Sequence, residues 1–268
     1  MDNDKGKDEK GVQKHMSENI ISAKDLCKSF AHNGGQVHVL THIDLDIREK
    51  DFTVVMGASG SGKSTLLYAL SGMDKATSGS VLFEGKDITK MKEKELAALR
   101  SRDFGFVFQQ MHLVSNLTLL ENVTVPGYLS RDKSTSEVKA RAEELLSQMG
   151  IADVKDHLPS QVSGGEQQRC AIARSIIHDP KILFADEPTD ALNRKNTKEV
   201  LDLLTDLNRK GQSVLMVTHD LRAALRGSRL LYLEDGNVIG EMTLPPYNKE
   251  DEKSRETQVN AWLSSMKW

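Results

Sequence analysis

A chain of 268 residues with 38% hydrophobic and 28% charged residues has the composition of a folded soluble protein, long enough for one substantial core or a core with an attached subdomain. Its formal net charge of −3 supplies no basic surface of the kind that binds nucleic acid, so no nucleic-acid partner is expected. No apolar run approaches the roughly 20 residues that span a bilayer, and Cys27 and Cys170 lie far apart without metal-ligand spacing, which points to a cytoplasmic chain with reduced, structural thiols.

Residues 1–18 are polar, of mixed charge and without apolar period, so a solvated, disordered tail is expected there rather than a secretory leader. Further on, "THIDLDIRE" alternates Ile43, Leu45 and Ile47 with polar residues, the period of a half-buried antiparallel strand. In contrast, "FTVVMG", "KILFAD" and "SVLMVTH" are short continuous apolar runs, as in parallel strands covered on both faces. The region between the first two of these runs reads as predominantly helical. Within it, "SEVKARAEELLSQMG" places Val138, Ala142, Leu145, Leu146 and Met149 on one helical face and stops at Gly150. "NTKEVLDLLTDLNRKG" predicts a helix opened by a capping box of Asn196 and Glu199 and closed at Gly211. "LLYLEDGNVIGEM" predicts a hairpin turning at Asp235 and Gly236, and Val259, Trp262, Leu263 and Met266 recur at helical spacing near the C-terminus.

Chemistry enters at "GASGSGKST", between a strand and an apolar helix. The spacing is that of a phosphate loop, in which the backbone of Gly57, Ala58, Ser59, Gly60, Ser61 and Gly62 closes around phosphates. Lys63 would reach the β- and γ-phosphates, Ser64 would offer its hydroxyl to Mg²⁺, and Thr65 follows in the first helical turn. The run "KILFADE" ends in Asp186, suited to holding Mg²⁺, and Glu187, suited to orienting an attacking water. Between these motifs lies "VSGGEQQRCAIARSII". Here Ser163, Gly164, Gly165 and Glu166 would present a hydroxyl, backbone N–H groups and a helix N-terminus to a phosphate.

With that last stretch the sequence resembles the ATP-binding cassette family. Phosphate loop, "VFQQ", "SGGE", "FADEPT" and "VTHD" stand in the family's order, from about Ile20 to Met242. The resemblance implies an α/β nucleotide-binding domain over 19–242, with a RecA-like core, an antiparallel β subdomain and an α-helical subdomain at about 93–165. Past Met242 the resemblance fades, and the helical spacing already noted gives an amphipathic extension over 243–268, expected to dock on the chain's own surface, with contact to a membrane surface or a second cassette as the alternative. ATP and Mg²⁺ are the implied cofactors. Gln109 corresponds to the glutamine that approaches Mg²⁺ and the attacking water, and His219 to the histidine that holds the γ-phosphate. Phe30 stands where the family commonly stacks a ring on adenine, with core packing as the competing reading.

Two cassettes of this family pair head to tail, each ATP lying between one chain's phosphate loop and the other's signature. A homodimer is therefore expected, attached peripherally to the cytoplasmic side of the cell membrane through an integral permease. "GFVFQQMHLVSNLTLLENV", "FADEPT" and "MVTHDLRAAL" are similar to the MacB, LolD and bacitracin-exporter group, whose permeases carry large extracytoplasmic regions. That likeness implies export or extraction of peptide, lipoprotein or drug. The alternative is a mechanical or signalling cassette coupled to a related permease. Cassettes of DNA repair or translation need a long coiled coil or a second cassette, and neither is present. Leu113, Val114, Leu117 and Leu119 are candidates for the permease groove, with packing inside the helical subdomain as the alternative.

Two positions depart from the family's pattern. Relatives usually read D-E-P-T-G or D-E-P-T-S and then A-L-D or N-L-D, whereas this chain has Asp190 and Asn193. A carboxylate at 190 is expected either to weaken Glu187 as a base or repel the facing protomer, slowing hydrolysis, or to point harmlessly into solvent.

Overall fold

A computed structural model describes residues 19–32, 34–129 and 133–266; the expected tail over 1–18 lies outside them. The chain opens with two long strands, β1 (Asn19–His32) and β2 (Gly35–Arg48), followed by β3 (Phe52–Met56) and helix α1 (Lys63–Leu70). A short hairpin of β4 (Ser78–Phe83) and β5 (Lys86–Asp87) leads into α2 (Glu93–Asp103) and β6 (Phe104–Val107). Three helices follow, α3 (Leu119–Leu129), α4 (Thr135–Gln148) and α5 (Gly164–Ser175). Then come β7 (Ile182–Asp186), α6 (Arg194–Arg209), β8 (Ser213–Val217) and the single turn α7 (Leu221–Ala224). The strands β9 (Arg229–Glu234) and β10 (Asn237–Thr243) precede the last helix, α8 (Glu252–Ser265).

The three apolar runs become β3, β7 and β8, in which every residue is buried. They pair in parallel within a six-stranded sheet of order β10-β9-β3-β8-β7-β6. Strands buried on both faces have no polar side to show, which is why their sequences do not alternate. Strand β6 pairs in parallel with β7 and extends this sheet from within the region read as predominantly helical. Its four residues are too few to announce a period. The expected hairpin joins β9 to β10, and its turn residues Asp235 (φ 46) and Gly236 (φ 74) adopt the left-handed conformation a tight two-residue turn requires. A second, antiparallel sheet has the order β2-β1-β4-β5, and β2 buries Ile43, Leu45 and Ile47 on alternate positions as its sequence predicts.

One core lies on each side of the larger sheet. The first joins α3, α4, α5, α6 and α8 to the sheet through residues such as Leu145, Ile172, Leu204 and Leu263. The second joins the antiparallel sheet, α1 and α2 through Ile21, Leu66, Leu96 and Phe184. Helix α2, which the sequence groups with the helical subdomain, thus buries Leu96 and Leu99 on the opposite side from α3 and α4. Truncating one such residue, fully buried Leu204 for instance, to alanine would cost about 2–5 kcal/mol.

Helix α4 is capped by Ser134, whose hydroxyl accepts from the N–H of Glu137 at 3.3 Å, and the chain turns away at Gly150 with φ 67. Helix α6 corrects its expected start. The cap is Asn193, whose side-chain oxygen accepts from the N–H of Asn196 at 3.0 Å, because Asn193 is still extended while Asn196 already lies in the first turn. Glu199 instead receives Arg169. Helix α8 docks on the chain itself: Val259 and Leu263 are fully buried, and Trp262 and Met266 pack on the first core. The helix approaches β10 so closely at Gly240 that a Cβ there would stand 2.8 Å from Met266 Sδ. Buried Arg255 fastens it by donating to the carbonyls of Leu225 at 2.6 Å, Pro245 at 2.7 Å and Gly227.

Candidate functional site

The C-terminal ends of β3, β7 and β8 converge on one cleft of about 540 Å³, lined by the Ser59–Thr65 loop, Gln109, Glu187, Asp190 and His219. A larger cleft of about 880 Å³ is lined by Asn19, Lys181 and Ser213, at the opposite ends of the strands. Ligands of open parallel sheets bind beyond the carboxyl ends, so the smaller cleft is the one positioned for chemistry.

The loop from Gly57 to Gly62 works because of its glycines. Gly57 lies so close to β9 that a Cβ would stand 2.2 Å from the Leu233 carbonyl oxygen, and Gly60 and Gly62 have φ of 81 and 102. Helix α1 begins after Gly62 with no side-chain cap and no acidic residue in its first turn. Its first N–H groups are therefore open to an external anion. Lys63 is buried and donates to the carbonyls of Gly57 and Ala58 at 2.9 Å each. Burial lowers its pKa, against the opposing pull of Glu187 and Asp186. Among the described residues the buried Ser61 hydroxyl finds no hydrogen-bond partner. An under-satisfied hydroxyl, free helical N–H groups and a lysine folded back on its own loop fit a bound polyphosphate.

Across the cleft, Asp186 accepts from Ser64 Oγ at 2.7 Å and from the Tyr68 hydroxyl at 2.6 Å. Hard oxygen donors from Ser64 and Asp186, side by side, suit a small divalent cation such as Mg²⁺. Tyr68 orients that carboxylate, and burial first, then the bond to Asp186, pushes the phenol's pKa upward. Sequence reasoning misses Tyr68, whose only local cue is its position one helical turn after Ser64.

Glu187 sits with φ 44, a left-handed conformation that costs a non-glycine residue about 1–2 kcal/mol. Its N–H donates to the Val217 carbonyl at 3.0 Å, which binds the turn to the end of β8. The carboxylate lies 4.0 Å from Lys63 Nζ and 3.0 Å from His219 Nδ1, and accepts the main-chain N–H of His219 at 3.3 Å. The hydrogen bond to Glu187 raises the imidazole pKa. Gln109 enters from the other side and donates to Asp190 Oδ2 at 2.6 Å. Asp190 lies at the exposed rim of the cleft with its carboxylate turned to Gln109 and His219, and the His219 ring stands between it and Glu187, with Nε2 3.5 Å from Asp190 Oδ1.

Other candidates lie outside this cluster. Ser163, Gly164, Gly165 and Glu166 form the start of α5, where a capping box links the Ser163 hydroxyl with the Glu166 N–H and the Glu166 carboxylate with the Ser163 N–H. None of them lines the cleft. Gly165 packs against α6, where a Cβ would stand 2.3 Å from the Asn196 side chain. Phe30 is 42% exposed, which removes core packing as its role; it lies under Lys28 Nζ at 4.6 Å from the ring centre and also does not line the cleft. Leu119 is fully buried and so unavailable to a partner, whereas Val114 is exposed and pinned beside α3 by Asn122. Cys170 is buried, its thiol pushed up to about 12, and Cys27 is free; neither lines the cleft.

A family model described as "ABC transporter" matches residues 40–190. The chain is 43% identical over 226 residues to the macrolide export ATP-binding/permease protein MacB of Bradyrhizobium diazoefficiens, covering 84% of this chain and 34% of that protein. It thus spans about a third of the MacB relatives it matches. It is 48% identical over 205 residues to the lipoprotein-releasing system ATP-binding protein LolD of Aquifex aeolicus, covering 76% of this chain and 91% of that one. The dimeric structure of the ATP-binding cassette MJ0796 in a post-hydrolysis state bound to ADP and Pi superposes with a TM-score of 0.79 at 38% identity, covering 85% of this chain and all of that one. With the phosphate loop, the paired acids and the parallel sheet in place, this chain belongs to the ABC transporter family as one of its ATPase cassettes.

Proposed function

We propose that the chain binds Mg²⁺-ATP in the cleft of the Ser59–Thr65 loop, pairs head to tail with a second cassette, and powers a membrane permease that exports or extracts a peptide, lipoprotein or drug. The observation that carries this reading is the convergence of Lys63, Ser64, Asp186, Glu187, Gln109 and His219 around one cleft while Ser163–Glu166 stand apart from it. A second cassette supplying the signature from outside completes what one chain lacks.

In this reading the loop amides and Lys63 bind and orient the phosphates, and Ser64 and Asp186 hold the cation, with Tyr68 fixing the carboxylate. The bound cation would neutralise charge on the phosphates. Glu187 positions the attacking water and takes its proton, His219 and Gln109 turn toward the last phosphate, and Phe30 offers its exposed ring to the adenine. Exposed Val114, Val125 and Tyr128, on and beside α3, form the apolar surface that receives the permease. Among the described residues no helix is long and apolar enough to cross a membrane, which agrees with attachment through a permease at the cytoplasmic face. The names of the MacB and LolD relatives, an exporter and a releasing system, support the export or extraction branch.

The test is Mg²⁺-dependent ATP hydrolysis as a function of chain concentration, with Glu187→Gln beside the wild type. Turnover rising more steeply than linearly, and falling about 100-fold or more in Glu187→Gln with ATP still bound, is expected. Undiminished turnover in that variant would remove Glu187 from the reaction.

A further inference from the structure

Four side chains cross the mouth of the cleft in an unbroken series that ends on a fifth, Lys63. Gln109 donates to Asp190 at 2.6 Å, Asp190 lies 3.5 Å from His219 Nε2, His219 Nδ1 lies 3.0 Å from Glu187, and Glu187 lies 4.0 Å from Lys63 Nζ. Asp190 is the member that joins the two halves. A tight turn aims it inward, with its N–H donating to the Glu187 carbonyl at 3.2 Å and Leu192 N–H donating to the Thr189 carbonyl at 3.1 Å. Glycine or serine at 190 has no carboxylate to reach both neighbours, so without Asp190 the series parts between Gln109 and His219. His219 thus has Nδ1 hydrogen-bonded to Glu187 and Nε2 within ion-pair distance of Asp190, so both ring nitrogens are turned to the protein's own carboxylates.

The position of the series decides which ligand it opposes. A loop lysine reaches the β- and γ-phosphates, and the series begins 4.0 Å from Lys63 Nζ, so in the proposed reading it faces the outer end of the bound polyphosphate. We propose that Asp190 is a positioning residue, a clasp that engages Gln109 and His219 and must be released before a third phosphate can be accommodated. The inference rests on the proposed reading of the cleft as a nucleotide site. Its physical content is an exchange: a third phosphate must draw Gln109 from its hydrogen bond to Asp190 and His219 from its ion-pair contact, and must do so beside a carboxylate of its own sign. A diphosphate, held by the loop amides, α1 and Lys63, leaves the bond between Gln109 and Asp190 in place. Asp190 therefore lowers the preference for ATP over ADP in the unpaired chain and reserves tight ATP binding for a state in which another contact draws Gln109 or His219 away.

Titration calorimetry of the full chain with Mg²⁺-ADP and with the Mg²⁺ complex of an imido analogue of ATP tests this, on wild type, Asp190→Gly and Asp190→Asn. In Asp190→Gly the analogue is expected to bind about tenfold more tightly, the equivalent of one charge-assisted hydrogen bond, with ADP affinity changed less than about twofold. Asp190→Asn keeps an acceptor for Gln109 but not the charge beside His219, and is expected between the two. Steady-state ATP turnover should show the same order as a fall in KM larger than any change in kcat. An equal gain for both nucleotides would make Asp190 a general brace of the loop and overturn the clasp, as would an unchanged or weakened affinity for the analogue. Failure of wild type and both variants to bind either nucleotide would overturn the cleft's assignment first, and the clasp with it.

Discussion

The two helix N-termini that the proposed function assigns to phosphate, those of α1 and α5, are finished to different degrees. The loop before α1 is braced from below while its tip, Ala58 to Gly60, is exposed: Lys63 is buried, Gly57 is pressed on β9, and the carboxylates and Tyr68 stand opposite. The start of α5 is open, with Gly164 exposed and its N–H groups tended by its own Ser163 and Glu166. A helix N-terminus that keeps its own cap is satisfied by the chain itself, whereas α1, with no cap, is not. The first therefore leaves helical N–H groups for a ligand within one chain, and the second is the one that the proposed pairing would bring to a neighbour's ligand.

The largest effects should separate these two sites. Lys63→Ala is expected to weaken nucleotide binding by about 100-fold or more in a single chain, since it removes the buried cation facing the phosphates. Gly164→Asp adds a carboxylate where a Cβ meets nothing closer than 3.8 Å, so the fold and single-chain binding should be kept while turnover falls about 100-fold. Mixing the two inactive variants in equal amounts should restore about a quarter of wild-type turnover, because a two-fold pair of unlike chains contains one intact composite site. No recovery on mixing would erase the distinction between a self-sufficient site and a partner-dependent one.

A smaller effect should sharpen the first site. Tyr68→Phe leaves the packing and removes only the hydroxyl from Asp186, so Mg²⁺ should be held about tenfold less tightly at unchanged thermal stability. The smallest belongs to the second site. Glu166→Gln is expected to cost about 0.5–1 kcal/mol at neutral pH, as a weakened cap does. The Ser163 hydroxyl and N–H hold the Glu166 carboxyl below its ordinary value of 4.5. The ionised cap therefore contributes fully above that value and is lost as the pH falls through the lowered one. Melting curves of wild type and variant should converge below pH 4.5 if the cap is electrostatic.

What is legible in the sequence is what lies together in the chain. Gly57–Thr65 and Asp186–Glu187 are contiguous motifs at strand ends, and β3, β7 and β8 announce themselves as unbroken apolar runs. The four residues of β6 are lost in their helical surroundings, because only pairing with β7 makes them a strand. Tyr68 and Asp186 are 118 positions apart, and Gln109 and Asp190 are 81 apart. Nothing local foretells either bond. The oddity of Asp190 is visible from its neighbours in the motif, but its partners are not: an imidazole stands between it and Glu187, and Gln109 comes from 81 positions away. The spacing of Val259, Trp262, Leu263 and Met266 announces an amphipathic helix, whereas the reason for glycine at 240 emerges only once Met266 lies on it.

Helix α5 carries one more property, and it is mechanical. Gln168 donates to the Phe108 carbonyl at 3.2 Å, and Arg174 donates to those of Met111 and His112 at 2.7 Å each. These three struts grip the backbone on both sides of Gln109, with about 1–3 kcal/mol needed to break each one. The segment from Phe108 to His112 is thereby tied to α5 at both ends, so Gln109 and the helix that begins at Ser163 share one set of fastenings.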